Sequence, residues 1–166
     1  MMSFQEQVKK YLEDGFKPVE VNKSGLGTEV LVKENVVVRI GTDTAYEHFA
    51  RLVTSKTIQS ENVPIIYNHE PQNAVAETPF LPYSITSMEL LEELSDTEAE
   101  EYEQWIKDEI LNIGKGHKVE NDPFGILNIT KTLVDYASMN ELNLDLVQPK
   151  NVMKRGNIYI HIDPFA

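Results

Sequence analysis

The stretch NLDLVQPKNVMKRGNIYIHIDPFA, residues 143–166, decides how the fold of this sequence is interpreted. It holds two short runs rich in apolar residues, at 151–154 and 157–162, which are joined by the turn sequence Arg-Gly-Asn. Because such runs favour strands and glycine allows a tight turn, these residues predict a β-hairpin. A hairpin brings the segments before and after it together at its open end.

Three side chains that carry oxygen flank the open end of this predicted hairpin. Asn151 precedes the turn, Asp163 follows the second strand, and Asp145 lies on the loop before Asn151. Mg²⁺ takes amide and carboxylate oxygens as ligands and keeps several waters. We therefore predict Asn151 and Asp163 as metal ligands, with Asp145 as a base or a further ligand. The alternative is that all three only cap loops and form turns, as Asn and Asp commonly do.

The first eighty residues carry mainly strand patterns. An amphipathic helix begins near Phe4 and ends at Gly15, and a second helix is predicted over residues 43–59, where Thr44 and Glu47 have the spacing of a capping box. Five short runs between turn residues predict strands, at residues 17–22, 29–33, 36–40, 63–67 and 74–77. The predicted order is β-β-β-α-β-β.

The rest of the sequence carries mainly helical patterns. Ser95 and Glu98 have capping-box spacing before an acidic helix over residues 96–112, and a last helix precedes the hairpin. The sequence thus predicts an α+β fold of two lobes around a cleft, a β-rich lobe at 1–80 and a mostly helical lobe at 81–166, in one structural unit.

The overall charge argues against two classes of partner. The 166 residues include 27 acidic and 15 basic side chains, a formal net charge of −12, and no window clusters the basic ones. Such a surface repels nucleic acid and anionic membranes, so we expect neither as a partner. The sequence has no cysteine, no leader pattern and no apolar run near the ~20 residues of a membrane span. We expect a cytoplasmic protein.

A glycine-containing turn is predicted between the first two strands. Gly25 and Gly27 belong to the sequence Ser-Gly-Leu-Gly-Thr at residues 24–28. Glycines allow close approach of a ligand to backbone N–H groups, which is how loops hold phosphate. The alternative is a plain turn, the commoner use of such a sequence.

Arg39 follows a run of three valines in an otherwise apolar predicted strand, which makes its charge notable. A cation buried in a strand needs an anionic partner, because an unpaired buried charge is costly. Glu47, on the first turns of the following helix, is the predicted partner. The alternative is that Arg39 extends its charged end into solvent from the strand terminus.

In the same chain order, these segments resemble the protein-kinase and aminoglycoside-phosphotransferase superfamily. Gly25-Leu26-Gly27 resembles the glycine-rich loop, and residues 36–40 resemble the strand that carries the nucleotide-binding lysine. Glu47 resembles the helix glutamate that pairs with this lysine. Residues 74–77, ending at Glu77, and the proline that follows resemble the strand and hinge that grip adenine.

The resemblance continues to the end of the sequence. Residues 144–153 resemble the catalytic loop, and residues 160–165 resemble the strand that ends in the metal-binding Asp-Phe-Gly. The resemblance implies ATP and Mg²⁺ as cofactors. It also implies that Asn151 and Asp163 hold metal, that Asp145 orients the acceptor and that Arg39 holds phosphate.

Several positions depart from the pattern of this superfamily. Arg39 stands where the lysine is expected, and Asn143 where the loop histidine is expected. Asp145 lies six residues before Asn151, where the family has five, and strict alignment would place Leu146 at the base position. The sequence ends at Ala166, before the activation segment would begin, so we expect no platform for protein substrates.

Three functions follow from these observations. We favour a degenerate kinase-like protein, a pseudokinase that binds or inhibits a host or partner protein with or without nucleotide, similar to kinase-like proteins encoded by bacteriophages. The alternatives are an active ATP- and Mg²⁺-dependent phosphotransferase acting on a small molecule or host protein, and an α+β interaction module without nucleotide. The acidic residues 89–109 could dock a basic partner, although a solvated helix face explains them more simply.

Overall fold

The computed structural model describes residues 2–19, 27–71 and 82–166. The chain is mixed α+β, as predicted, and folds into two compact units. The first comprises Met1–Thr57 and Ile65–Leu90, and the second comprises Ile58–Pro64 and Leu91–Ala166. The predicted lobes meet once, at residue 80, whereas in the structure Ile58–Pro64 belongs to the second unit and the chain then returns to the first until Leu90. The kinase-like arrangement of the two lobes stays a prediction.

The first unit is an antiparallel sheet of five strands with two helices. Its helices are α1 (Phe4–Glu13) and α2 (Thr44–Thr54). Its strands are β1 (Lys17–Pro18), β2 (Thr28–Lys33), β3 (Val36–Gly41), β4 (Ile66–Glu70) and β5 (Ser84–Glu89). The strand order is β1-β2-β3-β5-β4, which places β3 at the centre of the sheet.

One face of this sheet forms an apolar core. Its buried centre consists of Leu31, Val38, Ile40 and Ile85. The apolar side of α1 packs against this centre through Phe4, Val8 and Tyr11. The ring of Phe4 also meets that of Tyr83 edge-on at 5.9 Å. Burial of these side chains is what holds α1 on the sheet.

The helix α2 starts where it was predicted but differs in its N-cap residue and in its C-terminal end. Asp43, and not Thr44, is the N-cap residue, since its carboxylate accepts hydrogen bonds from the N–H groups of Ala45 and Tyr46. The helix ends at Thr54, five residues before the predicted end at residue 59. Lys56 has a φ of 58°, a left-handed conformation that a helix cannot continue through.

The strand β5 was not predicted from the sequence. Its buried residues include Ser84 and Thr86, which break the apolar pattern expected of a central strand. In the folded sheet both hydroxyls have partners: Ser84 Oγ donates to the Gly41 carbonyl, and Thr86 Oγ1 lies 2.8 Å from His69 Nδ1. The strand predicted at 63–67 lies later, in β4, and the one predicted at 74–77 falls outside the described residues.

The second unit combines helices with a three-stranded antiparallel sheet. Its helices are α3 (Asp96–Gly114), α4 (Leu127–Met139) and a short 3-10 helix (Pro149–Asn151). Its strands are β6 (Glu92–Glu93), β7 (Val152–Arg155) and β8 (Ile158–His161), in the order β6-β7-β8. The predicted capping box at Ser95 and Glu98 and the predicted hairpin are both confirmed.

The core of the second unit is rich in aromatic side chains. The ring of Phe124 lies 5.6 Å from those of both Tyr102 and Trp105 and 5.0 Å from that of Tyr159. Such tilted and edge-on contacts stabilise the core beyond area burial alone. The other side chains exposed by 2% or less are Ile106, Ile126, Leu133, Leu146, Ile160, His161, Thr130, Val152, Ala137 and Phe165.

The segment Ile58–Pro64, which links α2 to β4 along the chain, is bound to the hairpin of the second unit. Asn62 Nδ2 donates to the Tyr159 carbonyl at 2.9 Å, and the Asn62 carbonyl accepts from the His161 N–H at 3.0 Å. The guanidinium of Arg155 donates to the carbonyls of Glu61 and Val63. These bonds explain why this segment belongs with the second unit although α2 and β4 belong to the first.

A charged network connects the start of α3 to the hairpin. The carboxylate of Glu98 accepts from Lys154 Nζ at 2.8 Å and from the Tyr159 hydroxyl at 3.1 Å. The hydrogen bond from Lys154, followed by that from the Ser95 backbone, lowers the pKa of Glu98 to about 2. A depressed carboxyl pKa stabilises the fold above the unfolded pKa near 4.5, and this stabilisation is lost as the pH falls towards 2.

We expect Lys154→Met to weaken the pH dependence of stability in acid. Without Lys154 the pKa of Glu98 rises, so the unfolding free energy should fall less steeply below about pH 4.5 than in the wild type. Denaturant unfolding at a series of pH values measures this slope. Lys107→Met is the control, because Lys107 pairs with Glu103 at an exposed position. Equal slopes in the wild type and Lys154→Met would contradict the expectation.

No helix among the described residues is both long enough and apolar enough to cross a membrane.

Candidate metal centre

The chain before the hairpin and the chain after it run side by side in opposite directions. The Asp145 N–H donates to the Pro164 carbonyl at 2.8 Å, and the Ala166 N–H donates to the Asn143 carbonyl at 2.9 Å. Leu144 and Phe165 form an antiparallel bridge between these two bonds. The pairing extends the order of the hairpin to the segments that carry the predicted site residues.

Asn151 is held in one orientation by Asp145. Its side-chain nitrogen Nδ2 donates to the Asp145 carboxylate oxygen Oδ2 at 2.8 Å and to the Asp145 backbone carbonyl at 3.0 Å. Both partners are acceptors, so the nitrogen and not the oxygen of the amide must face them. This leaves Oδ1 as the atom through which Asn151 can bind a cation. The residue is 7% exposed, which limits its freedom to turn.

Asp163 is bracketed by hydrogen bonds to the same two residues. The N–H of Ile162, just before it, donates to the Asn151 carbonyl at 2.9 Å. The carbonyl of Pro164, just after it, accepts from the Asp145 N–H at 2.8 Å. Asp163 itself is half-buried. The structure therefore brings Asp145, Asn151 and Asp163 together.

The donor set of these three residues fits a hard divalent cation. It offers two carboxylates and one amide, the ligand types of Mg²⁺ and Mn²⁺, and both acidic residues are half-buried. Among the described residues there is no cluster of three His, Cys, Asp or Glu side chains that could hold a metal. Two carboxylates and one amide offer only oxygen ligands, which fit Mg²⁺ with its waters or phosphate oxygens better than Zn²⁺, which is usually bound by His and Cys.

The structure distinguishes Asp145 from Leu146 as the residue of the preceding loop that contacts Asn151. Leu146, which strict family alignment places at the base position, is 2% exposed, and its side chain lies in the core. Asp145 is the residue whose carboxylate reaches Asn151. The extra residue between Asp145 and Asn151 is thus accommodated without separating the two. The role of Asp145 as a base stays a prediction.

His161, at the end of β8, is a buried residue next to the candidate site in the chain. It alternates with isoleucines, a pattern that predicts one buried face only. In the structure both Ile160 and His161 are fully buried. The Thr130 hydroxyl donates to the Ile126 carbonyl at 2.7 Å and therefore accepts from His161 Nε2 at 2.9 Å. Burial lowers the pKa of His161 to about 4, so the imidazole is neutral at physiological pH.

The predicted phosphate-binding glycines are described in part. Gly25 lies outside the described residues. Gly27 has a φ of 96°, and a Cβ built there would lie 2.6 Å from Thr42 Oγ1, so both its conformation and its surroundings require glycine. Its carbonyl accepts from the Thr42 N–H at 3.1 Å. These contacts explain Gly27 as a turn residue, and its role in binding phosphate stays a prediction.

Arg39 and Glu47 both belong to the first unit and both are largely buried. The guanidinium of Arg39 stacks on the ring of Tyr46 at 3.6 Å, and its Nη2 lies 3.3 Å from Asp43 Oδ2. Its side chain is 11% exposed, so it does not extend into solvent from the strand end. Glu47 accepts from Arg51 Nε at 3.0 Å. The pairing of Arg39 with Glu47 and their roles toward a nucleotide remain predictions.

The predicted adenine contact at Glu77 cannot be placed, because this residue lies outside the described part of the chain. The strand that pairs with β3 on the side away from β2 is β5, at Ser84–Glu89. The sequence pattern predicted no strand there, because only two of the six residues in this run are apolar. Among the predicted site residues that the structure describes, hydrogen bonds bring together the segments that carry Asp145, Asn151 and Asp163.

Comparison with known proteins gives a weak similarity of fold. No protein-family model matches the chain, and no curated protein matches it. A crystal structure of monomeric WbdD has a TM-score of 0.40 and 16% identity, over 89% of this chain and 35% of that one. A structure of the bifunctional kinase-methyltransferase WbdD has a TM-score of 0.40 and 14% identity, over 91% of this chain and 33% of that one. This chain therefore spans about a third of the length of either structure.

Proposed function

We propose that this chain is a kinase-like protein that binds Mg²⁺ together with the phosphate groups of a nucleotide, and that it acts as a binding scaffold toward a partner protein. The observation that carries the proposal is the bracketing of Asp163. Its two chain neighbours are bonded to Asn151 and to Asp145, and Asn151 is in turn bonded to Asp145. These bonds support the proposal because they bring the backbone of Asp163 next to Asn151 and Asp145.

Each of the three residues has a distinct part in this proposal. Asp163 supplies the carboxylate ligand, and Asn151 supplies its Oδ1 oxygen. Asp145 keeps the amide of Asn151 turned so that this oxygen faces the cation. The bound Mg²⁺ supplies positive charge that neutralises phosphate oxygens. Sites with one or two carboxylates commonly leave the remaining positions of Mg²⁺ to waters and to phosphates, which is why a nucleotide is the proposed ligand.

The scaffold role is favoured over turnover by the departures from the kinase pattern. Arg39 keeps a positive charge where a lysine is expected, but its guanidinium is occupied with Tyr46 and Asp43. A planar guanidinium does not replace a compact ammonium at a shaped phosphate site. Binding of a nucleotide tolerates such a change better than catalysis does, because catalysis depends on alignment to within about 1 Å.

A thermal-shift titration with ATP and Mg²⁺ tests the proposal. A ligand that binds only the folded state at 100 times its dissociation constant adds about 2.7 kcal/mol to the unfolding free energy. We expect the melting temperature of the wild type to rise with Mg²⁺ and ATP and to return to its starting value when EDTA is added. Asp163→Asn should remove this rise.

The control variant is Asp135→Asn, which makes the same charge change at an exposed position of α4. It should keep the full rise in melting temperature. An equal rise in Asp163→Asn would place the cation elsewhere, and no rise in the wild type would favour an α+β interaction module without nucleotide.

A second candidate function is phosphoryl transfer, and it is favoured by the position and orientation of the Asp145 side chain. Asp145 is half-buried and its carboxylate is oriented by Asn151, while Leu146 beside it is buried. A base must be oriented and accessible to accept a proton from an acceptor hydroxyl. If the chain is an enzyme, wild-type protein should hydrolyse or transfer the γ-phosphate of ATP, and Asp145→Asn should not. Nucleotide binding without any turnover in the wild type would support the scaffold.

A further inference from the structure

The hydroxyl of Tyr102 reaches from the core of the second unit to the loop that carries Asp145. Tyr102 lies on α3, is fully buried, and packs its ring against Phe124 and Trp105. Its hydroxyl donates to the backbone carbonyl of Leu146. A buried tyrosine needs a partner for its hydroxyl, but the core offers many possible partners. The carbonyl that it does bond to belongs to Leu146, the residue after Asp145, so this hydrogen bond acts on the loop of the candidate site.

Two consecutive carbonyl groups of this loop are held from different directions. The Asp145 carbonyl accepts from Asn151 Nδ2 at 3.0 Å, and the next one, that of Leu146, accepts from Tyr102. Two fixed peptide groups leave the backbone between them little freedom to rotate. The side chain of Leu146 is also buried, which fixes the same residue from a third direction.

The electrostatic surroundings of Tyr102 keep its hydroxyl protonated. Burial raises the pKa of Tyr102 well above its usual value, and the negative charge of Asp145 raises it further. The phenol therefore stays protonated, and a donor, over the whole physiological pH range. An ionised Tyr102 would repel both the Leu146 carbonyl and the Asp145 carboxylate.

We propose that Tyr102 is a positioning residue for the cation site, and that its hydroxyl holds the loop at 145–151 in the arrangement in which Asn151 bonds to Asp145. The effect on the loop stands on the geometry alone, whereas the effect on cation affinity rests on the proposed function. The contrary view is that Tyr102 only fills the core and that its hydroxyl bond does not influence the loop.

Tyr102→Phe tests the proposal, since it removes one hydroxyl and keeps the ring. The matched control is Tyr159→Phe, which removes a hydroxyl bonded to Glu98 from a ring packed on the same Phe124. Nuclear magnetic resonance follows the Asn151 side-chain amide and the hydrogen exchange of the Asp145 N–H. We expect about tenfold faster exchange of this N–H in Tyr102→Phe, with a shifted Asn151 amide, because one hydrogen bond is lost at the loop. Tyr159→Phe should show neither change.

An unchanged loop in Tyr102→Phe, or equal changes in both variants, would overturn the proposal. A second measurement needs no variant: the Tyr102 hydroxyl proton of the wild type should exchange slowly with water and show a nuclear Overhauser effect to the loop. Fast exchange of this proton, with no nuclear Overhauser effect to the loop, would contradict the hydrogen bond from Tyr102 to Leu146. This measurement tests the hydrogen bond even if Tyr102→Phe fails to fold.

Binding of Mn²⁺ alone supplies the last readout, measured by electron paramagnetic resonance. We expect the dissociation constant to rise about fivefold in Tyr102→Phe and to stay at the wild-type value in Tyr159→Phe, as loss of one orienting bond behind a ligand implies. A faster-exchanging loop with unchanged Mn²⁺ affinity would refute positioning of the cation site. A wild type that binds no Mn²⁺ would refute the proposed function, and hydrogen exchange would still decide whether Tyr102 holds the loop.

Discussion

Replacing Asn151 with alanine is expected to raise the dissociation constant for Mn²⁺ about 100-fold, the upper end of the losses seen when the surroundings of a metal site are changed. The substitution removes a ligand oxygen and, at the same time, the amide that bonds to Asp145 through both its carboxylate and its carbonyl. Isothermal titration calorimetry with Mn²⁺ measures the change. Circular dichroism shows whether the variant keeps its fold.

The control for this variant is Asn128→Ala, which makes the same change at an exposed position of α4. It should bind Mn²⁺ as the wild type does. If Asn151→Ala also keeps the wild-type affinity while it stays folded, Asn151 only closes the loop, and the alternative interpretation of these residues as caps and turn formers is correct.

The second large effect is expected from Leu133→Ala, which should lower the unfolding free energy by about 2–5 kcal/mol. Leu133 is fully buried on the inner face of α4, so its truncation leaves a cavity in the core of the second unit. Leu111→Ala is the control, because Leu111 lies on α3 of the same unit but is 69% exposed. A change of about 0.5 kcal/mol or less is expected there. Urea denaturation measures both, and equal losses would mean that α4 does not bury this face.

The helices and the hairpin of the second unit could be predicted because their signals are local. Ser95 and Glu98 form the capping box that their spacing predicts, and the turn at Gly156 joins two paired strands. The apolar face of α4 is buried as the helical period predicts. These features depend on residues close together in the chain, so sequence patterns capture them.

The strand β5 could not be predicted because its stability comes from distant partners. Ser84 and Thr86 are polar, and their burial is tolerated only because Gly41 and His69 supply hydrogen-bond partners once the sheet has formed. Competition between neighbours explains why Asp43 and not Thr44 is the N-cap residue of α2. Asp43 and Thr44 are both good N-cap residues, and the carboxylate of Asp43 captures the first free N–H groups.

For the candidate site, the sequence predicted which residue types would meet but not how they would be held. Residue types and the hairpin indicated Asn151 and Asp163, while spacing alone left Asp145 and Leu146 as competing candidates for one position. Burial of Leu146 and the bond from Asn151 to Asp145 distinguish the two, and both are tertiary features. The hydrogen bond from Tyr102 to the Leu146 carbonyl is also a tertiary feature, because the two residues lie 44 positions apart in the chain.

The most direct test is a titration of ¹⁵N-labelled wild-type protein with Mn²⁺, because this paramagnetic ion broadens the resonances of nearby N–H groups. If a cation binds between the loop and the hairpin, the N–H signals of Asp145, Asn151 and Asp163 should broaden first, well below one equivalent of Mn²⁺. Broadening that begins instead on the exposed acidic face of α3, at Asp96 and Glu100, or that affects no group at low Mn²⁺, would contradict the site.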